Sequence, residues 1–138
     1  MPVPLSSIVR RRSRISGWGV YTKAPISKNT RIIHYAGELI SNKESIKRQQ
    51  RQVGRGEIWC FMVTQRKVRD AEVGGNIARF LNHSCTGNCW IEIDRSTDTI
   101  WIRAARNIRK GEELTYDYST DGEATIQCKC RPGCKTML

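Results

Sequence analysis

No stretch of this chain approaches the roughly 20 apolar residues needed to cross a bilayer, and Met1-Pro2-Val3-Pro4-Leu5-Ser6-Ser7 lacks the apolar run of a secretion signal. No membrane partner is expected, and the expected setting is intracellular and reducing: cytoplasmic, nuclear or nucleoid-associated. At 138 residues there is room for one compact domain with its own core and none for a second. No internal repeat, low-complexity tract or interdomain linker is found. Gly17-Trp18-Gly19 lacks the third glycine and the following helix of a dinucleotide-binding turn, which argues against a Rossmann site. Acidic residues are scarce: 13 Asp and Glu stand against 24 Lys and Arg, a formal net charge of +11.

The excess cation is clustered, with Arg10, Arg11, Arg12 and Arg14 at the start and Lys43, Lys47, Arg48, Arg51 and Arg55 further on. Such patches suit polyanions, nucleic acid among them, although a solvated basic face accounts for them as well. Nothing in the sequence sets an oligomeric state.

The pattern of apolar residues is that of a mainly β protein. Ile8–Arg12, Gly19–Thr22 and Arg31–Tyr35 read as short strands, the first two joined through a turn at Gly17. Ile58–Val63 and Lys67–Ala71 read as a hairpin about Gln65-Arg66, and the alternation in Ile91–Ile93 and Thr99–Arg103 predicts a second one. Ser41-Asn42-Lys43-Glu44 has capping-box spacing, so a helix is predicted from there to about Gln52, ending before Gly54. Its only apolar side chains of note are Ile46 and Val53, which places it on the surface.

Six cysteines in a chain without a secretion signal point to metal ligation rather than to a disulfide framework, because Cys128, Cys130 and Cys134 follow a C-x-C-x3-C pattern. Zinc is the expected metal, and it wants a fourth ligand. Cys60 and Cys89 read as packed thiols.

Arg79-Phe80-Leu81-Asn82-His83-Ser84-Cys85 and Gly111-Glu112-Glu113-Leu114-Thr115-Tyr116-Asp117-Tyr118 stand in that order, with Gly17-Trp18-Gly19 and Tyr35-Ala36-Gly37-Glu38 ahead of them and the cysteines behind. Together these segments resemble the SET-domain protein lysine methyltransferases, over roughly residues 8 to 138. The resemblance implies the SET β-clip, small curved sheets in which the chain around Asn82 and the segment after Tyr118 form a pseudoknot. It divides the chain into a SET domain at 1–125, with a helical insert at about 41–53, and a zinc-binding post-SET tail at 126–138. No amino-terminal cysteine cluster of the kind some histone methyltransferases carry is expected.

What the resemblance implies chemically is methyl transfer from S-adenosylmethionine to the ε-amine of a lysine, on a histone, histone-like or other basic protein. Tyr118 is implied where donor and acceptor meet, Tyr35 in the wall around the acceptor amine, and Tyr116 at the position that limits how many methyl groups are added. Asn82 and His83 are implied to hold the cofactor, helped by the Gly17-Trp18-Gly19 backbone, Trp59, Arg79 and Phe80. Cys85 is implied as the fourth zinc ligand, making the ion structural. Taken singly, most of these residues have plainer readings: Tyr116 and Tyr118 end a strand, Asn82 and Ser84 cap a turn, and Tyr35 and Trp59 fill a core. The alternative for the whole chain is a zinc-stabilised basic module that binds nucleic acid without turnover.

Overall fold

The computed structural model describes residues 2–120, 122, 124 and 126–138. In chain order these form β1 (Ile8–Arg12), β2 (Trp18–Thr22), β3 (Arg31–His34), β4 (Glu38–Ser41), α1 (Asn42–Gly54), β5 (Cys60–Met62), β6 (Lys67–Asp70), β7 (Asn82–His83), β8 (Cys89–Asp94), β9 (Thr99–Ala104) and β10 (Glu113–Tyr116). One sheet runs β1-β2-β10-β8-β9-β3 with β7 beside β10, and a smaller one runs β4-β6-β5. The expected mainly β architecture is therefore present.

The predicted hairpins form. In β8 and β9 the register sets Ile91 opposite Ile102 and Ile93 opposite Ile100, and the inward set of β9, Ile100, Ile102 and Ala104, is buried as its alternation requires. Asp98 closes the turn in the left-handed region at φ 52. Val20, Ile32, Leu81, Ile108 and Leu114 complete the centre of the core. Burying each such aliphatic side chain contributes about 1.5–3 kcal/mol.

Two strands have no counterpart in the sequence reading. β4 is mostly exposed and lacks apolar alternation; its order comes from pairing with β6 across Glu38–Asp70 to Ser41–Lys67. β7 is two residues long and exists because it lies parallel to β10, Asn82 beside Thr115 and His83 beside Tyr116. The helix starts as predicted, with the Glu44 N–H donating to Ser41 Oγ at 3.1 Å, and runs two residues past Gln52.

The helix lies on the surface, as its thin apolar content implies, and the side chains it buries are polar. Ile46 is 55% exposed, while Ser45 and Gln52 are fully buried. The reason is Asp70, a carboxylate buried at the end of β6, which requires polar partners. Gln52 Nε2 donates to it at 3.1 Å, and Arg48 pairs with it at 3.1 Å while also reaching Glu38 and Glu44. Arg51 and Arg55 pair with Glu72. Much of the basic cluster read from the helix is thus neutralised locally.

The packing that builds the site is the approach of residues 82–89 to residues 113–118. Asn88 bridges them, its Nδ2 donating to the Glu113 carbonyl at 2.8 Å and its Oδ1 accepting from the Thr115 N–H at 3.0 Å. Gly87 permits the contact: a Cβ there would lie 2.6 Å from the Thr115 carbonyl oxygen. Asn82, His83, Tyr116 and Tyr118 reach one place because of it.

Candidate active site

A cavity of about 670 Å³ opens between the β1–β2 turn, the segment before β5, the β7 segment and the C-terminal tail, a size suited to a cofactor-sized ligand. Gly17, Trp18, Trp59, Arg79, Phe80, Asn82 and His83 all line it, together with Tyr118. Gly19 does not. It lies against Glu113, where a Cβ would come 2.3 Å from Oε2. Gly17, by contrast, is needed for its backbone, at φ 46.

Asn82 is fixed in one orientation. Its Nδ2 faces three acceptors, the Ser16 and Trp18 carbonyls at 3.2 and 2.9 Å and Glu113 Oε2 at 2.9 Å, so Oδ1 is the amide atom left to accept a further hydrogen bond. Glu113 is held in turn by Ser13 and Tyr21. Arg79 stacks its guanidinium 4.6 Å over the Trp59 ring, and its buried Nε has no hydrogen-bond partner among the described residues. An orphaned buried donor and an oriented acceptor on one cavity wall fit a zwitterionic ligand.

At the inner end the rings converge. Tyr118 lies 5.1 Å from Phe61 and 5.0 Å from Tyr116, and Phe61 is 5.0 Å from Tyr35, all as tilted or edge-to-face pairs. The Tyr118 hydroxyl donates to the Leu81 carbonyl at 2.5 Å and the Tyr35 hydroxyl to the Trp59 carbonyl at 2.9 Å. That of Tyr116 makes no hydrogen bond among the described residues. Burial pushes the hydroxyls of Tyr35, Tyr116 and Tyr118 above the usual tyrosine range, so all three stay protonated and neutral. His34 points elsewhere, exposed and edge-on to Trp101.

The cysteines meet as expected. The sulfurs of Cys85, Cys128, Cys130 and Cys134 lie within 4.8 Å of one another, with Cys85 3.9 Å from Cys128 and 3.8 Å from Cys134, and none forms a disulfide. Four thiolates about 2.3 Å from a tetrahedral zinc ion sit about 3.8 Å apart, so the donor set fits that ion. Burial pushes Cys128 up to about 12, whereas the Thr136 N–H holds Cys134 down at about 6; sulfurs this close all ionise only with a cation between them. Cys60 and Cys89 are pushed up to about 12 by burial, which matches their reading as packed thiols.

His83 joins the two features. Its Nδ1 accepts from the Tyr118 N–H at 3.0 Å, leaving Nε2 as the donor toward Cys85 Sγ at 3.4 Å. Burial lowers its pKa against the opposing charge of Asp117, which keeps this neutral tautomer. The cysteine cluster in turn folds the tail back, through Cys128 N–H to the Thr136 carbonyl and Leu138 N–H to the Ile126 carbonyl. Ile126, Gln127, Lys129 and Leu138 thereby close one side of the cavity.

Residues 17–119 match the model of the SET domain. The chain belongs to the SET-domain family. Its cavity residues Gly17 to Asn82 and all three site tyrosines fall inside that match, as does Cys85, while Cys128, Cys130 and Cys134 lie beyond it. Among curated relatives, a Yarrowia lipolytica protein named "Histone-lysine N-methyltransferase, H3 lysine-4 specific" is 42% identical over 92% of this chain. The Drosophila melanogaster "Histone-lysine N-methyltransferase trr" is 39% identical over 96%, and the human "Histone-lysine N-methyltransferase 2D" 39% over 91%. The chain spans 12%, 6% and 2% of those relatives' lengths. Among solved structures, the Chaetomium thermophilum Polycomb repressive complex 2 superposes with a TM-score of 0.72 at 26% identity, over 83% of this chain and 15% of the solved chain. Nothing in these relatives supports the nucleic-acid module without turnover.

The sequence reading assigned no role to Glu113 or to Ile126, Gln127 and Leu138. Glu113 sits inside the Gly-Glu-Glu-Leu segment, so its place was visible, but the partners that make it a hub come from the β1–β2 turn, β2 and β7. The tail residues carry no local signal at all.

Proposed function

We propose that this SET domain transfers a methyl group from S-adenosylmethionine to the ε-amine of a lysine, on a histone, histone-like or other basic protein. The observation that carries the reading is the position of Tyr118. Its ring belongs both to the cavity wall and to the aromatic cluster, so a donor in the one and an amine entering through the other meet at a single hydroxyl, the collinear arrangement a displacement needs.

The donor supplies a methyl group on a sulfonium, with a neutral thioether as leaving group. Asn82 Oδ1 accepts from the donor's ammonium, Arg79 Nε supplies a donor hydrogen to its anionic or carbonyl groups, and Trp18, Trp59, Phe80 and the His83 backbone complete the pocket. The Tyr118 O–H is committed to Leu81, so it neither attacks nor abstracts a proton; its lone pairs orient the electron-poor methyl group through weak C–H contacts. Tyr35, Phe61 and Tyr116 surround the acceptor with aromatic surface, and desolvation favours the neutral amine over an ammonium whose free pKa is about 10.4. The free hydroxyl of Tyr116 holds a water or the amine and restricts rotation after one transfer, which makes monomethyl-lysine the main product. Zinc on Cys85, Cys128, Cys130 and Cys134 is structural, securing the tail at 126–138 over the SET domain at 1–125 with its helical insert at 41–53.

The relatives' histone substrates support a nuclear or nucleoid setting, and no helix among the described residues is long and apolar enough to cross a membrane. The test is calorimetry with S-adenosylmethionine, followed by radiolabelled methyl transfer into a lysate and mass spectrometry of the labelled band. Cofactor binding with label on lysine is the expected result. Absence of cofactor binding by zinc-loaded protein overturns the proposal.

A further inference from the structure

The arginine run that opens the chain is not absorbed by the site chemistry, and its surroundings differ from those of the paired arginines elsewhere. Arg31, Arg48, Arg51, Arg55, Arg103 and Arg106 each pair with a carboxylate. Among the described residues Arg10, Arg11, Arg12 and Arg14 form no ion pair. All four are exposed, on or just after β1, which is an edge strand with no neighbour on its outer side.

What positions them is aromatic surface. Arg12 and Arg10 each lie 4.4 Å from the centre of the Trp18 ring, and Arg10 lies 4.8 Å from Phe80. Arg79 lies 5.4 Å from that same Phe80 and 4.6 Å from Trp59. The order Arg12, Trp18, Arg10, Phe80, Arg79, Trp59 is thus a continuous ladder of alternating guanidinium and ring, leading from the sheet edge to the mouth of the cavity. A guanidinium stacked on a ring is held without spending its N–H edge, so that edge stays free for bidentate contact with an anion.

We infer that this edge is a docking surface for duplex DNA, bound through its phosphates. Unpaired cations held in a row complement a polyanion, and phosphate oxygens are the acceptors that most protein–DNA hydrogen bonds use. Trp18 and Phe80 are already occupied by guanidinium groups, so no open aromatic platform remains for unstacked bases, which disfavours a single strand. A duplex also presents the denser phosphate array, about one charge per 1.7 Å of axis. This inference does not rest on the methyl-transfer reading: the phosphate contacts come from Arg10 and Arg12, which lie outside the cavity, although the rings that hold them, Trp18 and Phe80, also line it.

The experiment is fluorescence anisotropy of a labelled duplex of about 20 base pairs with the zinc-loaded full chain, titrated at several salt concentrations from about 50 mM upward. Binding should weaken steeply with salt. Arg10→Ala with Arg12→Ala should lower affinity at least about tenfold and reduce the salt slope by about 1.8, at about 0.9 per phosphate contact. The pair Lys43→Ala with Lys47→Ala, on the helix, should stay within about twofold of wild type, and retained zinc and melting temperature verify folding in both. No binding by wild type, equal losses in both pairs, or an unchanged slope in the arginine pair overturns the inference. Tighter binding of the matching single strand overturns it too, as does competition by an acidic peptide of equal charge as effective as unlabelled duplex, which would mark a protein-binding surface instead.

Discussion

Replacing Tyr118 by Phe separates orientation from packing. The ring contacts with Phe61, His83 and Tyr116, at 5.1, 5.3 and 5.0 Å, do not involve the hydroxyl and survive the change. What is lost is the hydrogen bond to Leu81, a residue 1% exposed, whose carbonyl is left short of a donor at a cost of about 1–3 kcal/mol. For a chain of this size that lowers the melting temperature by about 3–10 °C, leaving the protein folded at assay temperature. Cofactor affinity should move less than about threefold, because the Asn82, Arg79 and Trp59 walls are untouched. Turnover should fall about 100-fold, the usual scale for misplacing a reacting group by an ångström. Single-turnover methyl transfer to a lysine peptide, read by mass spectrometry beside calorimetry of cofactor binding, checks both numbers. Turnover within about threefold of wild type would refute the reasoning, as would a cofactor affinity that falls as far as the rate.

Four further outcomes follow from the geometry. Purified protein should hold close to one zinc per chain, released slowly by chelators because the site is closed, and Cys85→Ser and Cys130→Ser should each lose it with most of the activity; elemental analysis decides this. Tyr116→Phe should shift the product from monomethyl toward di- and trimethyl-lysine at a similar first-step rate, and trimethyl-lysine as the main wild-type product at long times would show that Tyr116 does not limit the channel. The rate should rise between pH 7 and about 9 as the acceptor amine, with a free pKa of about 10.4, loses its proton; the raised pKa values of Tyr35, Tyr116 and Tyr118 add no falling limb in that window. Glu72 is held at about 2, first by Arg55 and then by Gln52, so it contributes stability above its ordinary range near 4.5 that is lost as pH falls toward 2, and melting curves of Glu72→Gln should show a weaker acid dependence than wild type.

The candidate site was largely legible because its residues sit in a few short segments whose order survives in the chain. Seven of the expected cofactor residues line one cavity, and the cysteine at the end of Asn82-His83-Ser84-Cys85 reaches the three near the C-terminus. Gly19 departs from expectation in what it touches, since the nearest atoms to its missing Cβ belong to Glu113 and Ser13. The helix packs through polar side chains that carry no signal in the sequence: a buried carboxylate at Asp70 recruits Gln52 and Arg48. β4 and β7 carry no period of their own, because pairing alone orders them.

By itself the sequence determined the mainly β class, the second hairpin, the start of the helix and the residue types available for chemistry, since alternation, capping and cysteine spacing act over a few neighbouring positions. Only the tertiary structure decided which of those residues meet. That Asn82 presents Oδ1 and not Nδ2, that Tyr118 spends its proton on Leu81, that His83 links a tyrosine amide to a cysteine sulfur, and that Arg10 and Arg12 share one indole all depend on contacts between separate elements. Such contacts follow from the parallel seating of β7 beside β10 and the pairing of β1 with β2. Local propensity carries no record of them, because their energy comes from partners distant along the chain.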